Sequence, residues 1–167
     1  MKFVRIYARK EIMFTVSTES PEETAALARK AGQRIREGTV LCLVGDLGAG
    51  KTLFTKNLVT MLGVETEVTS PTFSLMNVYE GICPIFHFDL YRVEKEAELE
   101  EIGFYEYVKE PGGIVIIEWA DKFPDALPEE YVIVHFDGAA PEGVRYISFS
   151  CCGEKDKDFL KELEEIC

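Results

Sequence analysis

Two short runs of unbroken apolar character stand out along the chain: residues 39–44 (Thr-Val-Leu-Cys-Leu-Val) and residues 114–117 (Ile-Val-Ile-Ile). Runs of this length bounded by turn residues fit strands buried on both faces, as in a parallel sheet. Elsewhere the pattern changes period. Residues 12–17 are β-branched and aromatic and read as a strand. Ser20-Pro21-Glu22-Glu23 reads as a helix start, with a cap, Pro in the first turn and acids behind it, and predicts a helix to about residue 36. Helical spacing returns over 51–62, where Gly63 ends it, over the acidic stretch 94–108, and over 155–166. Residues 74–79 and 83–88 read as strands joined across Glu80-Gly81, and 131–136 and 144–150 as later strands. The alternation predicts one α/β domain over 1–167. Its central sheet should be mainly parallel and flanked by helices, with some antiparallel strands, the 74–88 pair in particular. Residues 1–11 are expected to be an N-terminal extension.

Composition narrows the function classes. The chain has 167 residues, 47% hydrophobic and 29% charged, with a formal net charge of −12. Direct grip on nucleic acid needs clustered Lys and Arg, so any nucleic-acid role is expected to run through a partner. The five cysteines are an odd number without a C-x-x-C pair, which points to reduced thiols rather than a disulfide framework or a zinc site. No apolar run is long enough for a membrane span, and residues 1–10 lack a signal-peptide core; a cytoplasmic protein is expected.

Between the first buried strand and the helix at 51 lies Gly45-Asp46-Leu47-Gly48-Ala49-Gly50-Lys51-Thr52, a match to G-x-x-x-x-G-K-[ST]. Glycines let the main chain approach a phosphate, successive N–H groups form an anion nest, and the helix start adds its dipole. Lys51 is expected at the β/γ-phosphates and Thr52 at Mg²⁺. Chance would supply the motif in about one chain in a hundred, and the strand before it and helix after it make it more specific still. A P-loop site also needs an acid for the metal and a group that orients water. Glu118 ends the strand 114–118, where ligands bind in open α/β sheets, and is the candidate metal acid. Asp89 follows the strand 83–88 and is the second candidate. Thr69-Ser70-Pro71-Thr72-Phe73 is a hydroxyl-rich loop in which Ser70 and Thr72 are candidate γ-phosphate sensors. Trp119 suits either a place near the nucleotide or a half-buried core position. His87 alternates within its strand and reads as structural. Arg92 is open to use as a charge stabiliser in cis or as a salt bridge to the acidic helix.

These motifs come in a recognisable order: Gly-Asp-Leu-Gly-Ala-Gly-Lys-Thr at 45–52, Ser-Pro-Thr-Phe at 70–73, His-Phe-Asp-Leu-Tyr-Arg at 87–92 and Ile-Glu-Trp at 117–119. Over residues 12–150 the chain resembles the bacterial TsaE (YjeE) family, ATPases required for making threonylcarbamoyladenosine in tRNA. The resemblance implies a small P-loop α/β fold, with ATP hydrolysis that is slow in the isolated protein. It implies Mg²⁺ as cofactor, and TsaB and TsaD as partners that modify adenosine 37 of tRNA. Thr52 and Glu118 match the family's Mg²⁺-associated positions, Asp89 an acid needed for function, and Lys51 the phosphate lysine. The turn at 19–20 and the segment 143–145 fall where the family closes over the base. The chain departs from the pattern with Ala120 where Pro is usual, and with the basic stretch at 1–10.

Three other readings compete. A small-molecule kinase clamps a second phosphorylated substrate with several arginines, and after the P-loop this chain has Arg92 and Arg145 alone. A GTPase would carry Asn-Lys-x-Asp, which is absent from the sequence. A nucleotide-dependent interaction module, in which the bound state rather than turnover matters, uses the same P-loop.

Overall fold

The two continuous apolar runs form neighbouring strands at the centre of one sheet. The computed structural model describes residues 11–138 and 141–167. Of the extension expected at 1–11, residues 1–10 lie outside these, and Glu11 opens the first strand. The described elements are β1 (Glu11–Thr18), α1 (Pro21–Gly32), β2 (Val40–Val44), α2 (Lys51–Thr60), β3 (Met76–Glu80), β4 (Pro84–Asp89), α3 (Ala97–Glu101), α4 (Phe104–Lys109), β5 (Ile114–Glu118), β6 (Tyr131–Asp137), β7 (Arg145–Cys152) and α5 (Lys157–Ile166). Two 3₁₀ turns, Ala120–Lys122 and Pro124–Ala126, follow β5.

The sheet has the order β1-β7-β6-β2-β5-β4-β3. β4, β5, β2 and β6 are parallel, whereas β3 pairs antiparallel with β4, and β7 with both β6 and β1. The expected antiparallel pairing within 74–88 is therefore present, and a second antiparallel flank lies on the opposite side.

Alternation along the strands feeds two cores. Leu41, Leu43, Ile114, Ile116, Val132 and Val134 pack with Leu27, Phe54, Leu58 and Leu160 of α1, α2 and α5. Val40, Cys42, Val44, Val115, Ile117 and Ile133 pack with Leu99, Phe104 and Val108 of α3 and α4. Each fully buried Leu, Ile, Val or Phe contributes about 1.5–3 kcal/mol relative to exposure. Both faces of β2 and β5 are thus covered, which is why their sequences lack alternation.

Two helix boundaries shift by two residues, at Thr60 and Lys157, and two other helices differ more from expectation. α1 starts as predicted: Ser20 accepts a hydrogen bond from the Glu23 N–H at 3.1 Å, and Glu23 reaches back to the Glu19 N–H at 2.7 Å. It ends at Gly32 instead of near 36. The N–H groups of both Arg34 and Ile35 turn to the Ala31 carbonyl, at 3.0 and 2.9 Å, so the last turn winds irregularly into the loop. The acidic stretch 94–108 forms two short helices, α3 and α4, and not one. Gly103 stands between them with φ 71°, a left-handed conformation that glycine adopts without steric cost and that breaks the helical ladder.

Candidate functional site

All four strands of the parallel core point their carboxyl ends to one edge, and the site is built there. β2 runs into the Gly-rich loop, which turns into α2 through Gly50 at φ 108°. That left-handed value is open to glycine and closed to most side chains. The first N–H groups of α2 have no intrahelical acceptor and carry the positive end of its dipole. Lys51 curls back over the loop. Its Nζ donates to the carbonyls of Gly45 and Asp46, each at 2.7 Å, and lies 4.2 Å from the centroid of the Trp119 ring. Burial pulls the Lys51 ammonium below its ordinary pKa, while the negative charges of Glu118, Asp121, Asp89 and Asp46 pull it back up.

Thr52, one residue on, donates its hydroxyl to both carboxylate oxygens of Glu118, at 3.4 and 3.3 Å. Glu118 ends β5, in register with Leu43 of β2 on one side and Asp89 of β4 on the other. It is 2% exposed, and His87 Nε2 lies 2.9 Å from its Oε1. Asp89 is also buried. Ser70 and Thr72 donate to its Oδ2 at 2.8 and 3.1 Å, and the Tyr91 N–H donates to its Oδ1 at 2.9 Å. The Ser70 and Thr72 hydroxyls are themselves 2.8 Å apart.

These groups share one cleft of about 300 Å³, lined by residues 47–53, Ser70, Thr72, Asp89, Tyr91, Glu118 and Trp119. The candidate phosphate, metal, acid and sensor residues therefore converge, although they come from four separate stretches of sequence. Trp119 takes the half-buried core position, packed against the second core, and also lines the cleft. Among the described residues Arg92 forms no salt bridge to the acidic helix; its guanidinium lies over the Phe73 ring, 4.1 Å from the centroid.

The expected base-closing segments are placed less evenly. A second hollow of about 260 Å³ adjoins the loop between residues 46–49, Asp137, Gly138, Val144 and Arg145. Arg145 Nε donates to the Ala49 carbonyl at 3.2 Å. The 19–20 turn spends its polar groups on capping α1. Through the pairing of Thr18 with Arg145 it still lies beside this hollow.

The donor chemistry suits a hard cation. A hydroxyl and a carboxylate are the oxygen ligands Mg²⁺ prefers, and Mg²⁺ is commonly held by few protein groups together with substrate phosphates and water. The described residues contain no cluster of three or more His, Cys, Asp or Glu that would hold a metal alone. Two features escaped sequence reasoning. The His87 contact to Glu118 spans 31 positions, and the pattern of β4 alone marks His87 only as inward-facing. Asp121, in the turn after Trp119, feels the charge of Lys51, and burial raises its pKa.

A phosphate loop between a central parallel strand and a helix, faced by an acid at the end of the adjacent strand, defines the P-loop NTPase fold class. The comparisons with known proteins agree and go further. The family model for threonylcarbamoyl adenosine biosynthesis protein TsaE matches residues 18–146, and the chain belongs to the TsaE family. It is 38% identical over 147 residues to the tRNA threonylcarbamoyladenosine biosynthesis protein TsaE of Bacillus subtilis, covering 87% of this chain and 90% of the relative. It is 38% identical over 117 residues to the protein of that name from Treponema pallidum, covering 70% and 86%. The crystal structure of Bacillus subtilis YdiB superposes with a TM-score of 0.75 at 32% identity, covering 91% of this chain and 94% of that one.

Proposed function

We propose that this chain is a Mg²⁺-dependent ATPase that acts with TsaB and TsaD in threonylcarbamoylation of adenosine 37 in tRNA, its turnover resetting the complex between cycles. The family places the chain in tRNA threonylcarbamoyladenosine biosynthesis. The observation that carries the enzymatic reading is the convergence of Lys51, Thr52, Asp89 and Glu118 on one cleft beneath the phosphate loop.

In this reading the loop N–H groups and Lys51 bind the β- and γ-phosphates. Lys51 exchanges its bonds to the Gly45 and Asp46 carbonyls for phosphate oxygens. Thr52 and Glu118 hold Mg²⁺, which when bound neutralises charge on the β- and γ-oxygens. Asp89 is an acceptor for the attacking water once its hydroxyl donors move. Ser70 and Thr72, on the loop that now covers Asp89, report the γ-phosphate state. Phe73 and Leu47, 83% and 75% exposed, place apolar surface beside the cleft, where a partner could sense the nucleotide. No described helix is long and apolar enough to cross a membrane, in keeping with work in the cytoplasm. The net charge of −12 suits a protein that leaves tRNA to its partners.

The test is ATP turnover by the protein alone and with added TsaB and TsaD. Slow turnover that rises sharply with the pair supports the reading. Equal turnover in both cases leaves the P-loop ATPase and removes the partnership.

A further inference from the structure

His87 lies on the same face of β4 as Asp89, two residues before it. Its register partner on β5 is Ile116, so the ring extends along the sheet face towards Glu118, two residues further on. The imidazole side chain is 0% exposed and the Glu118 side chain 3%. Because an ionised carboxylate only accepts, Nε2 carries the hydrogen of the 2.9 Å bond. The other ring nitrogen, Nδ1, is buried without a hydrogen-bond partner among the described residues. The Tyr79 ring covers the imidazole at 6.2 Å between centroids. Tyr79 is itself tied to the hydroxyl loop: its OH donates to the Thr69 carbonyl at 3.0 Å and accepts from the Thr69 N–H at 3.3 Å.

A histidine that serves packing alone is poorly explained here. Burying a polar ring with one nitrogen unsatisfied costs stability that a leucine of similar volume would avoid. Among the described residues, the one polar bond gained in return goes to Glu118. That bond also has a geometric effect. The terminal torsion of a glutamate is soft and broad, so packing alone fixes it poorly. Thr52 Oγ1 sits almost equidistant from the two oxygens, at 3.4 and 3.3 Å, and therefore does not select a rotation. The short contact to Oε1 does. His87 is not among the residues that line the cleft; its hydrogen bond to Glu118 is its direct link to a residue that does.

We infer that His87 is a positioning residue for Glu118, fixing the carboxylate rotation that faces Thr52 and thereby setting the magnesium requirement of the site. The inference rests on the Mg-ATP reading above. Partners that orient metal-ligating groups are typically worth about 10–100-fold in metal affinity or activity.

The test compares His87→Leu, His87→Gln and His87→Asn in the full chain. Gln can place an amide N–H near the position of Nε2, Leu has no donor, and Asn has a donor too short to reach. Two readouts are taken: steady-state kinetics over a Mg²⁺ titration, and the shift in melting temperature given by ADP with EDTA and with Mg²⁺. In His87→Leu and His87→Asn, half-saturating Mg²⁺ rises or kcat falls by about 10–100-fold, while KM for ATP moves by less than about 3-fold. Both variants lose the extra stabilisation that Mg²⁺ adds to ADP and keep the shift given by ADP in EDTA. His87→Gln recovers most of each effect. The inference is overturned if Leu and Asn keep the Mg²⁺ dependence of the unaltered protein, or if Gln loses it as fully as they do, which would mark a packing role. Should Leu fail to fold, the Gln–Asn contrast decides alone. If the unaltered protein shows neither Mg²⁺-dependent turnover nor a Mg²⁺-dependent shift, the ATPase reading itself has failed, and the variants are then read against that result.

Discussion

Asp89 and Glu118 are register partners on adjacent parallel strands, yet their carboxylates engage different segments. Asp89 holds the Ser70 and Thr72 hydroxyls, and Glu118 holds Thr52 and His87. Two acids side by side at the end of a sheet are thus divided between the hydroxyl loop and the helix that follows the phosphate loop.

The division predicts separable phenotypes. Glu118→Gln keeps the shape and the His87 contact but loses the anionic oxygens. It should bind ATP within about 3-fold of the unaltered protein and lower kcat by about 100-fold or more. Nucleotide titration beside single-turnover kinetics checks both halves. If this variant still supports repeated tRNA modification, the bound state matters rather than turnover.

Removing both loop hydroxyls, Ser70→Ala with Thr72→Ala, leaves Asp89 with the Tyr91 N–H as its remaining bond. Loss of donors to a buried carboxylate should cost about 1–3 kcal/mol of stability. Urea denaturation reads the cost. In the reading above, stimulation of turnover by TsaB and TsaD should also weaken, because the loop no longer senses Asp89.

Lys51→Ala removes the cation that the loop carbonyls and the Trp119 face now hold. ATP affinity should fall by about 10–100-fold, the worth of a charge-assisted contact. The fluorescence of Trp119, the single tryptophan of the chain, should change on the substitution itself, since the ring loses the ammonium 4.2 Å away.

The depressed pKa of Lys51 gives a pH dependence of defined sign. The unfolded chain titrates at the ordinary value of 10.5 and the folded chain below it. Between those values the unfolded state holds a proton that the folded state has lost, so stability without nucleotide rises with pH across that window. Nucleotide affinity moves the other way, because phosphate binds the ammonium form. Affinity should decline as pH climbs through the lowered value, before 10.5 is reached. Binding curves taken at increasing alkaline pH, with Lys51→Ala as the flat control, test the slope.

Much of this was legible in the sequence where chemistry is local. β5 falls on the predicted residues, and β2 differs from its prediction only at Thr39, because strands covered on both faces announce themselves as apolar runs. The phosphate loop is a contiguous motif whose glycines and lysine act within one turn. The acids were legible as strand ends. What escaped depends on contacts across the sheet. His87 looked structural because its periodicity gives its face and not its neighbour, and that neighbour is a glutamate on the next strand. The capping of Asp89 by Ser70 and Thr72 joins a loop to a strand end through the strand β3 that intervenes. The break at Gly103 was hidden because helical spacing continues on either side of it.

Thr52 and Glu118 are 66 residues apart in the chain, and they meet only because β5 docks beside β2 after β3, β4, α3 and α4 have been laid down. The phosphate loop is local, but the pairing of its helix with the acid opposite is a property of the completed fold. A ligand held there favours the native state by RT ln(1 + [L]/Kd). It should protect the amide hydrogens of the central strands from exchange most, since opening any of them dissolves the site. Under the proposed function, nucleotide doubles as a folding ligand, and the cellular lifetime of the protein becomes coupled to nucleotide supply.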